Sequence, residues 1–110
     1  MATRALSQDR AHGRVVVTWA GITNGDDGAP FEPPVGYKLE NIQYIGTIGS
    51  GPALKIQGSN EATITTYAEL ATASALGALV PTAQMRHFRP AAVGGSGTTV
   101  SAIALFRQQN

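Results

Sequence analysis

Residues 98–107 read TTVSAIALFR, and their spacing predicts the fold more strongly than any other stretch of the chain. Successive side chains of a β-strand point to opposite faces of its sheet. One face of this stretch would carry four apolar residues, namely Val100, Ala102, Ala104 and Phe106. The other face would carry Ile103 and Leu105. Because a strand that is apolar on both faces is typical of a sheet interior, we predict a central strand here.

Two other long stretches are predicted strands. Residues 14–20, RVVVTWA, are β-branched and aromatic, and they place Val15, Val17 and Trp19 on one face. Residues 37–48, YKLENIQYIGTI, would form one long strand or two, but their apolar positions change parity halfway. A β-bulge near Glu40 and Asn41 would keep both halves directed at the same core. A turn at residues 49–52 then follows.

Shorter strands are predicted at residues 53–57, 64–70 and 84–90, the last ended by Pro90. The alanine-rich residues 71–79 would form a short helix or a loop. Turn-forming residues recur about every ten residues, which predicts six to eight short strands. This spacing favours an all-β fold, an antiparallel β-sandwich or jelly roll.

The chain divides into an N-terminal arm, residues 1–12, and one β-sandwich domain, residues 13–110. The arm is polar and has no apolar face with which to pack. We interpret it as a loosely ordered end or a short capping segment, or as an arm that becomes ordered against a partner.

The chain is poor in charge. Charged residues make up 14% of 110, against about 25% in ordinary soluble domains, and the net charge is +1. Such a surface suits a protein that lies against a partner, and the scattered cations give no footprint for nucleic acid. No apolar run has the length of a membrane span. The absence of cysteine fits synthesis in a reducing cytoplasm.

No motif for catalysis, cofactor binding or metal binding is found. His12 and His87 lie outside any nucleophile or metalloprotease motif. Asp26 and Asp27 stand in a turn-rich segment without the alternating oxygen ligands of a calcium loop, so we interpret them as solvated turn residues. The glycine-rich residues 46–52 and 92–99 lack the lysine of a phosphate loop. We therefore expect no enzyme activity, no cofactor and no metal.

The stretch KIQGSNEAT, residues 55–63, is either a ligand loop or a corner of the sheet. We favour the corner. Gly58 is expected to take a backbone conformation costly to other residues, and Ser59 and Asn60 are expected to bond the turn backbone locally.

The glycine and turn motifs follow one another in a specific order. The Trp19 strand ends in AGI, and five motifs come after it: NGDDG (24–28), GTIGSG (46–51), QGSN (57–60), MRHFRP (85–90) and GGSGTT (94–99). This order, from Trp19 to about residue 105, resembles the head decoration, or cement, proteins of tailed bacteriophages. QGSN also shows a fainter similarity to discoidin, or galactose-binding, jelly rolls. That family has Asp-Gly where Glu61 and Ala62 stand, so no sugar-binding residues are carried over.

The first resemblance implies a phage virion structural protein, made in the host cytoplasm, that decorates and stabilises the capsid. It would bind the lattice of the major capsid protein on the outer surface, as a homo-oligomer, with a trimer favoured. Since arginine is favoured at interfaces, candidate residues for capsid or oligomer contacts are Arg4, Arg10, Arg86 and Arg89.

Two alternatives are weighed against capsid decoration. The first is a carbohydrate-binding module displayed on the particle, whose stacking residues would come from four aromatic side chains: Trp19, Tyr37, Tyr44 and Tyr67. The second is another minor virion protein, at the head–tail junction or in the tail.

Overall fold

Two five-stranded sheets pack face to face in the computed structural model, which describes residues 3–109. Sheet A has the order β1 (Thr3–Arg4), β4 (Asp27–Gly28), β9 (His87–Val93), β6 (Ala53–Ser59) and β7 (Ala68–Ala73). Sheet B has the order β2 (Leu6–Ala11), β3 (Arg14–Thr23), β10 (Thr99–Gln108), β5 (Tyr37–Thr47) and β8 (Gly77–Leu79). All neighbouring strands are antiparallel except β1 and β4. The predicted all-β antiparallel sandwich is confirmed.

Strand β10 lies in the middle of sheet B, as its two apolar faces predicted. It pairs with β3 on one side and with β5 on the other. Its four inward side chains are buried: Val100, Ala102, Ala104 and Phe106. Ile103 and Leu105 face outward and are half-buried, because no third layer covers sheet B.

The predicted bulge in β5 is confirmed. Pairing with β10 changes from Leu105 opposite Asn41 to Phe106 opposite Leu39, which leaves Glu40 as the extra residue. The bulge restores the parity of the strand. Leu39 is 1% exposed and Ile42 is 0% exposed as a result.

The core contains two large polar aromatics whose polar atoms are satisfied. The Trp19 indole Nε1 donates to the Ala29 carbonyl at 2.8 Å. The Tyr44 hydroxyl crosses from sheet B and donates to the Lys55 carbonyl of sheet A at 2.6 Å. Burial raises the pKa of Tyr44 well above its ordinary value, so the phenol stays neutral and ties the two sheets together.

The segment expected to be an arm is built into both sheets as edge strands. Residues 6–11 pair with β3, and residues 3–4 pair with β4. His12 and Gly13, with φ of 40° and 78°, make the two-residue turn between β2 and β3. The segment is joined to the sheets mainly by backbone hydrogen bonds, which leave no strong periodicity in the sequence, and Leu6 packs against the core. Met1 and Ala2 lie outside the described residues.

Pro90 does not end a strand, contrary to our expectation, and lies inside β9. The amides of Phe88 and Ala92 donate toward Phe31 and Asp26. Pro90 lies between Phe88 and Ala92, so its backbone nitrogen points to the same side of β9 as theirs. On that side β4 pairs with β9 at only one residue. A proline is tolerated where a ladder hydrogen bond is not required.

Residues 71–79 were expected to form a short helix or a loop, and they instead belong to strands and their connection. β7 continues to Ala73, and β8 begins at Gly77. The predicted strand at 64–70 is shifted, since β7 starts only at Ala68. Alanine has high helix propensity, but here it lies along the edges of both sheets.

Residues 3–109 contain no helix long and apolar enough to cross a membrane.

Candidate interaction surface

The outer face of sheet B is a broad surface with an uncharged centre. One row of outward residues crosses all five strands in register: Ser7, Thr18, Ile103, Gln43 and Ala78. The next row places Val16 beside Leu105 and Asn41. The row on the opposite side of the Ile103 row contains Ile45, which is 44% exposed and lies opposite Ser101. Four aliphatic side chains are thus presented with no charge between them, and the carboxylate of Asp9 lies at the rim, on the edge strand β2 opposite Val16.

One end of this face carries three cations in a single row, which we call the cationic row. Arg107 of β10 lies directly opposite Arg14 of β3 and Lys38 of β5. All three are exposed. Arg107 Nε lies 3.4 Å from a Glu40 carboxylate oxygen. Within residues 3–109, no ion pair is made by Arg14 or Lys38.

Sheet A presents a different outer face, whose charges are matched within the chain. Arg89 Nη1 lies 3.1 Å from Asp27, and Arg89 Nε donates to Gln57 Oε1 at 2.8 Å. Lys55 pairs with Glu69. Because these charges are paired with each other, the outer face of sheet A has fewer charges available to a partner than the outer face of sheet B.

Of the four arginines predicted as interface residues, three lie in or beside sheet A and one lies on the edge of sheet B. Arg4 binds the buried Asp26. Arg86 Nε donates to Glu32 Oε2 at 3.1 Å, and Arg89 is engaged as described. Arg10, exposed on the edge strand β2, donates from Nε to Gln8 Oε1 at 3.1 Å. The structure does not bring these arginines together in one patch.

Asp26 is buried rather than solvated, which corrects our interpretation of the turn. It is 4% exposed, and Oδ2 accepts from Thr23 N at 2.9 Å and from Thr23 Oγ1 at 2.8 Å. Arg4 supplies the countercharge. Asp27 instead accepts from Thr3 Oγ1 at 2.9 Å. No cluster of three or more metal-ligating side chains occurs in the described part of the chain.

The corner at residues 58–60 differs from our expectation in two ways. Gly58 does not have a positive φ. Glycine is required there by space, because a Cβ would lie 2.8 Å from Leu70 Cδ1 and 3.0 Å from the His87 carbonyl oxygen. Ser59 does bond locally, accepting from the Glu61 amide at 3.2 Å. Asn60 does not, since its Oδ1 accepts from the Arg86 amide 26 residues away at 2.8 Å.

The aromatic side chains considered for sugar stacking are poorly placed for it. Trp19 and Tyr44 are 0% and 1% exposed, and Tyr37 packs against the core. Tyr67 is covered by Arg89, whose guanidinium carbon lies 3.6 Å from the ring centroid. No open aromatic platform is therefore formed by these four residues.

Sequence reasoning missed the cationic row. Arg14, Lys38 and Arg107 are far apart in sequence, and only the strand register shows that they are neighbours. A usable signal was present, because each cation stands at the outward parity near one end of a predicted strand.

Comparison with known proteins gives no relative for this chain. No family model, no curated protein and no solved structure matches it.

Proposed function

We propose that this chain is a structural protein of a tailed-phage virion, which decorates and stabilises the capsid by binding the lattice of the major capsid protein. The observation that carries the binding role is the uncharged centre of the outer face of sheet B, where the half-buried Val16, Ile103 and Leu105 lie near the exposed Ile45. The resemblance of the glycine and turn motifs suggests the virion as the setting.

The physical chemistry of this face suits attachment to a protein. Burial of apolar surface contributes roughly 25 cal/mol per Å², and the five-stranded sheet would place several aliphatic side chains on the partner at once. A single such contact is weak after the cost of association. A homo-oligomer, with a trimer favoured, would bind a repeating lattice at several points and gain affinity by multivalency.

A carbohydrate-binding role is the weaker alternative. Stacking on a sugar requires an exposed aromatic face, and the ring of Tyr67 is covered by the Arg89 guanidinium. A position at the head–tail junction or in the tail uses the same docking chemistry, so the binding experiment must distinguish these sites.

The test uses a single charge placed on each outer face. Ile103→Asp puts a carboxylate at the centre of the outer face of sheet B, and Thr72→Asp puts one on the exposed edge strand of sheet A. Both purified variants are mixed with assembled heads and with separated tails of the phage that encodes the chain, and co-sedimentation is measured.

We expect the wild type and Thr72→Asp to sediment with heads in a saturable ratio, and Ile103→Asp to lose at least tenfold in affinity. Circular dichroism verifies that both variants remain folded. Binding to tails alone would assign the chain to the tail. Equal head binding by all three proteins would show that the outer face of sheet B is not the docking surface.

A further inference from the structure

The cationic row lies beside a hollow in the surface. Residues from the β2–β3 turn and from the end of β10 line this hollow: His12, Gly13, Arg14, Arg107 and Gln108. Lys38 borders a second hollow on the other side, together with Val80 and Gln84. The three cations therefore stand between two concave regions at one end of the outer face of sheet B.

Like charges directly opposite each other on neighbouring strands are destabilising. Three cations on adjacent strands would be relieved by matching carboxylates, but among residues 3–109 only Glu40 pairs with the row, at Arg107. Asp9 is outward-facing one row away, opposite Val16, and makes no ion pair among residues 3–109. Among the described residues, the row thus keeps an excess of positive charge that their carboxylates do not balance.

We propose that the cationic row binds carboxylates of an acidic segment on the partner protein. The two guanidinium groups can each take a carboxylate through paired N–H donors, and Lys38 adds a flexible point charge. This inference rests on the proposed function, because the segment would belong to the protein that docks on the uncharged centre of the same face. The row would fix the orientation of that docking.

The surroundings favour a protein carboxylate over a nucleic acid backbone. The row ends after three residues, and Glu40 and Asp9 lie close to it on the same face. A phosphate backbone needs a longer positive track and would meet these acids. The adjoining aliphatic side chains of Ile103 and Leu105 suit a partner protein whose surface combines apolar and charged residues.

The proposal is tested on the whole purified chain with hexaglutamate as the probe. Backbone amide shifts are followed by NMR at low salt, with inorganic phosphate and hexalysine in parallel titrations. The variant Arg14→Gln/Lys38→Gln/Arg107→Gln removes the row. Arg10→Gln is the matched control, because Arg10 is also exposed and makes no ion pair among the described residues, but it lies on the edge strand β2 outside the row.

We expect hexaglutamate to give saturable shifts at residues 12–14, 38 and 107–108, weakened roughly tenfold or more by 0.5 M salt. The triple variant should lose these shifts and should melt no lower than the wild type, and Arg10→Gln should keep them. The proposal is overturned by non-saturable shifts up to about 10 mM peptide, by unchanged shifts in the triple variant, or by phosphate binding as tightly as the peptide.

Head binding separates this inference from the proposed function. If the wild type and the triple variant sediment equally with heads at all salt concentrations, the acidic contact is wrong while capsid docking stands. If hexaglutamate binds the row but no head binding occurs, capsid docking is wrong while the carboxylate site stands.

Discussion

Arg4 and Asp26 join the first strand of the chain to the turn after β3, with Arg4 Nε donating to Asp26 Oδ2 at 2.8 Å. The carboxylate is buried, and the guanidinium is its countercharge from the N-terminal segment. This pair shows that residues near the N-terminus are part of the sandwich. It also explains why Asp26 can lie in the interior of the turn.

Removal of Arg4 should therefore destabilise the fold. Arg4→Ala removes this cation from the buried Asp26 carboxylate and leaves the Thr23 donors in place, and loss of one partner of a buried ion pair is destabilising. Since Arg4 is 38% exposed, solvent screening reduces the loss to about 1–3 kcal/mol. Urea denaturation measures it. Arg10→Ala, on an exposed edge, should change the free energy of unfolding by less than about 0.5 kcal/mol, and equal effects would contradict this role.

A second prediction concerns the close approach at Gly58. Gly58→Ala forces a methyl group against Leu70 and the His87 carbonyl, so β6 and its neighbours must move apart. We expect a loss of about 1–3 kcal/mol, and Gly58→Val should damage folding further. Asn60→Ala removes only the hydrogen bond to the Arg86 amide and should cost about 1 kcal/mol or less. Thermal melts of the three variants check this order, and a neutral Gly58→Ala would refute it.

Gln84 completes the edge of β5 with its side-chain amide. Oε1 accepts from the Leu39 amide at 2.9 Å, and Nε2 donates to the Leu39 carbonyl at 3.0 Å. We expect Gln84→Ala to cost about 1–2 kcal/mol and to accelerate hydrogen exchange of the Leu39 amide. Gln8→Ala, which loses only an exposed contact to Arg10, is the control. Unchanged exchange at Leu39 would show that β5 does not need this support.

The loop after the corner should respond to acid through Glu61. Its carboxylate accepts from Thr65 Oγ1 at 2.7 Å and from the Thr66 amide at 2.9 Å, and these bonds lower the pKa from 4.5 to about 2. The ionised form is therefore favoured in the folded loop. Its contribution is complete above pH about 4.5 and is lost as the pH falls through about 2. NMR titration of the Glu61 carboxyl carbon measures the pKa, and a midpoint near 4.5 would contradict these hydrogen bonds.

Much of the fold followed from alternation of apolar residues. The central position of β10, the buried face of β3 and the bulge at Glu40 were predictable because burial on one face leaves a period of two in the sequence. The edge strands were harder to predict. Residues 3–11 and 77–79 are held mainly by backbone hydrogen bonds, which any residue type can make. Pro90 is tolerated because its missing N–H falls between the backbone bonds at Phe88 and Ala92, where β4 does not need a donor.

The candidate site was less predictable than the fold. A cation that pairs within its own chain looks the same in sequence as a cation that faces solvent, so the sequence does not show that Arg4, Arg86 and Arg89 pair with carboxylates of the same chain. The cationic row depends on strand order, which single-strand patterns do not contain. The burial of Asp26 is not predictable from its local sequence, because its countercharge lies 22 residues away.

The most direct test of capsid decoration is the copy number of the chain in purified particles of the phage that encodes it. Heads are separated from tails, and the ratio of the chain to the major capsid protein is measured by quantitative mass spectrometry. We predict a fixed stoichiometric ratio in heads, together with rebinding of the purified chain to stripped heads up to the same ratio. Absence of the chain from heads, with no rebinding, would contradict the proposal.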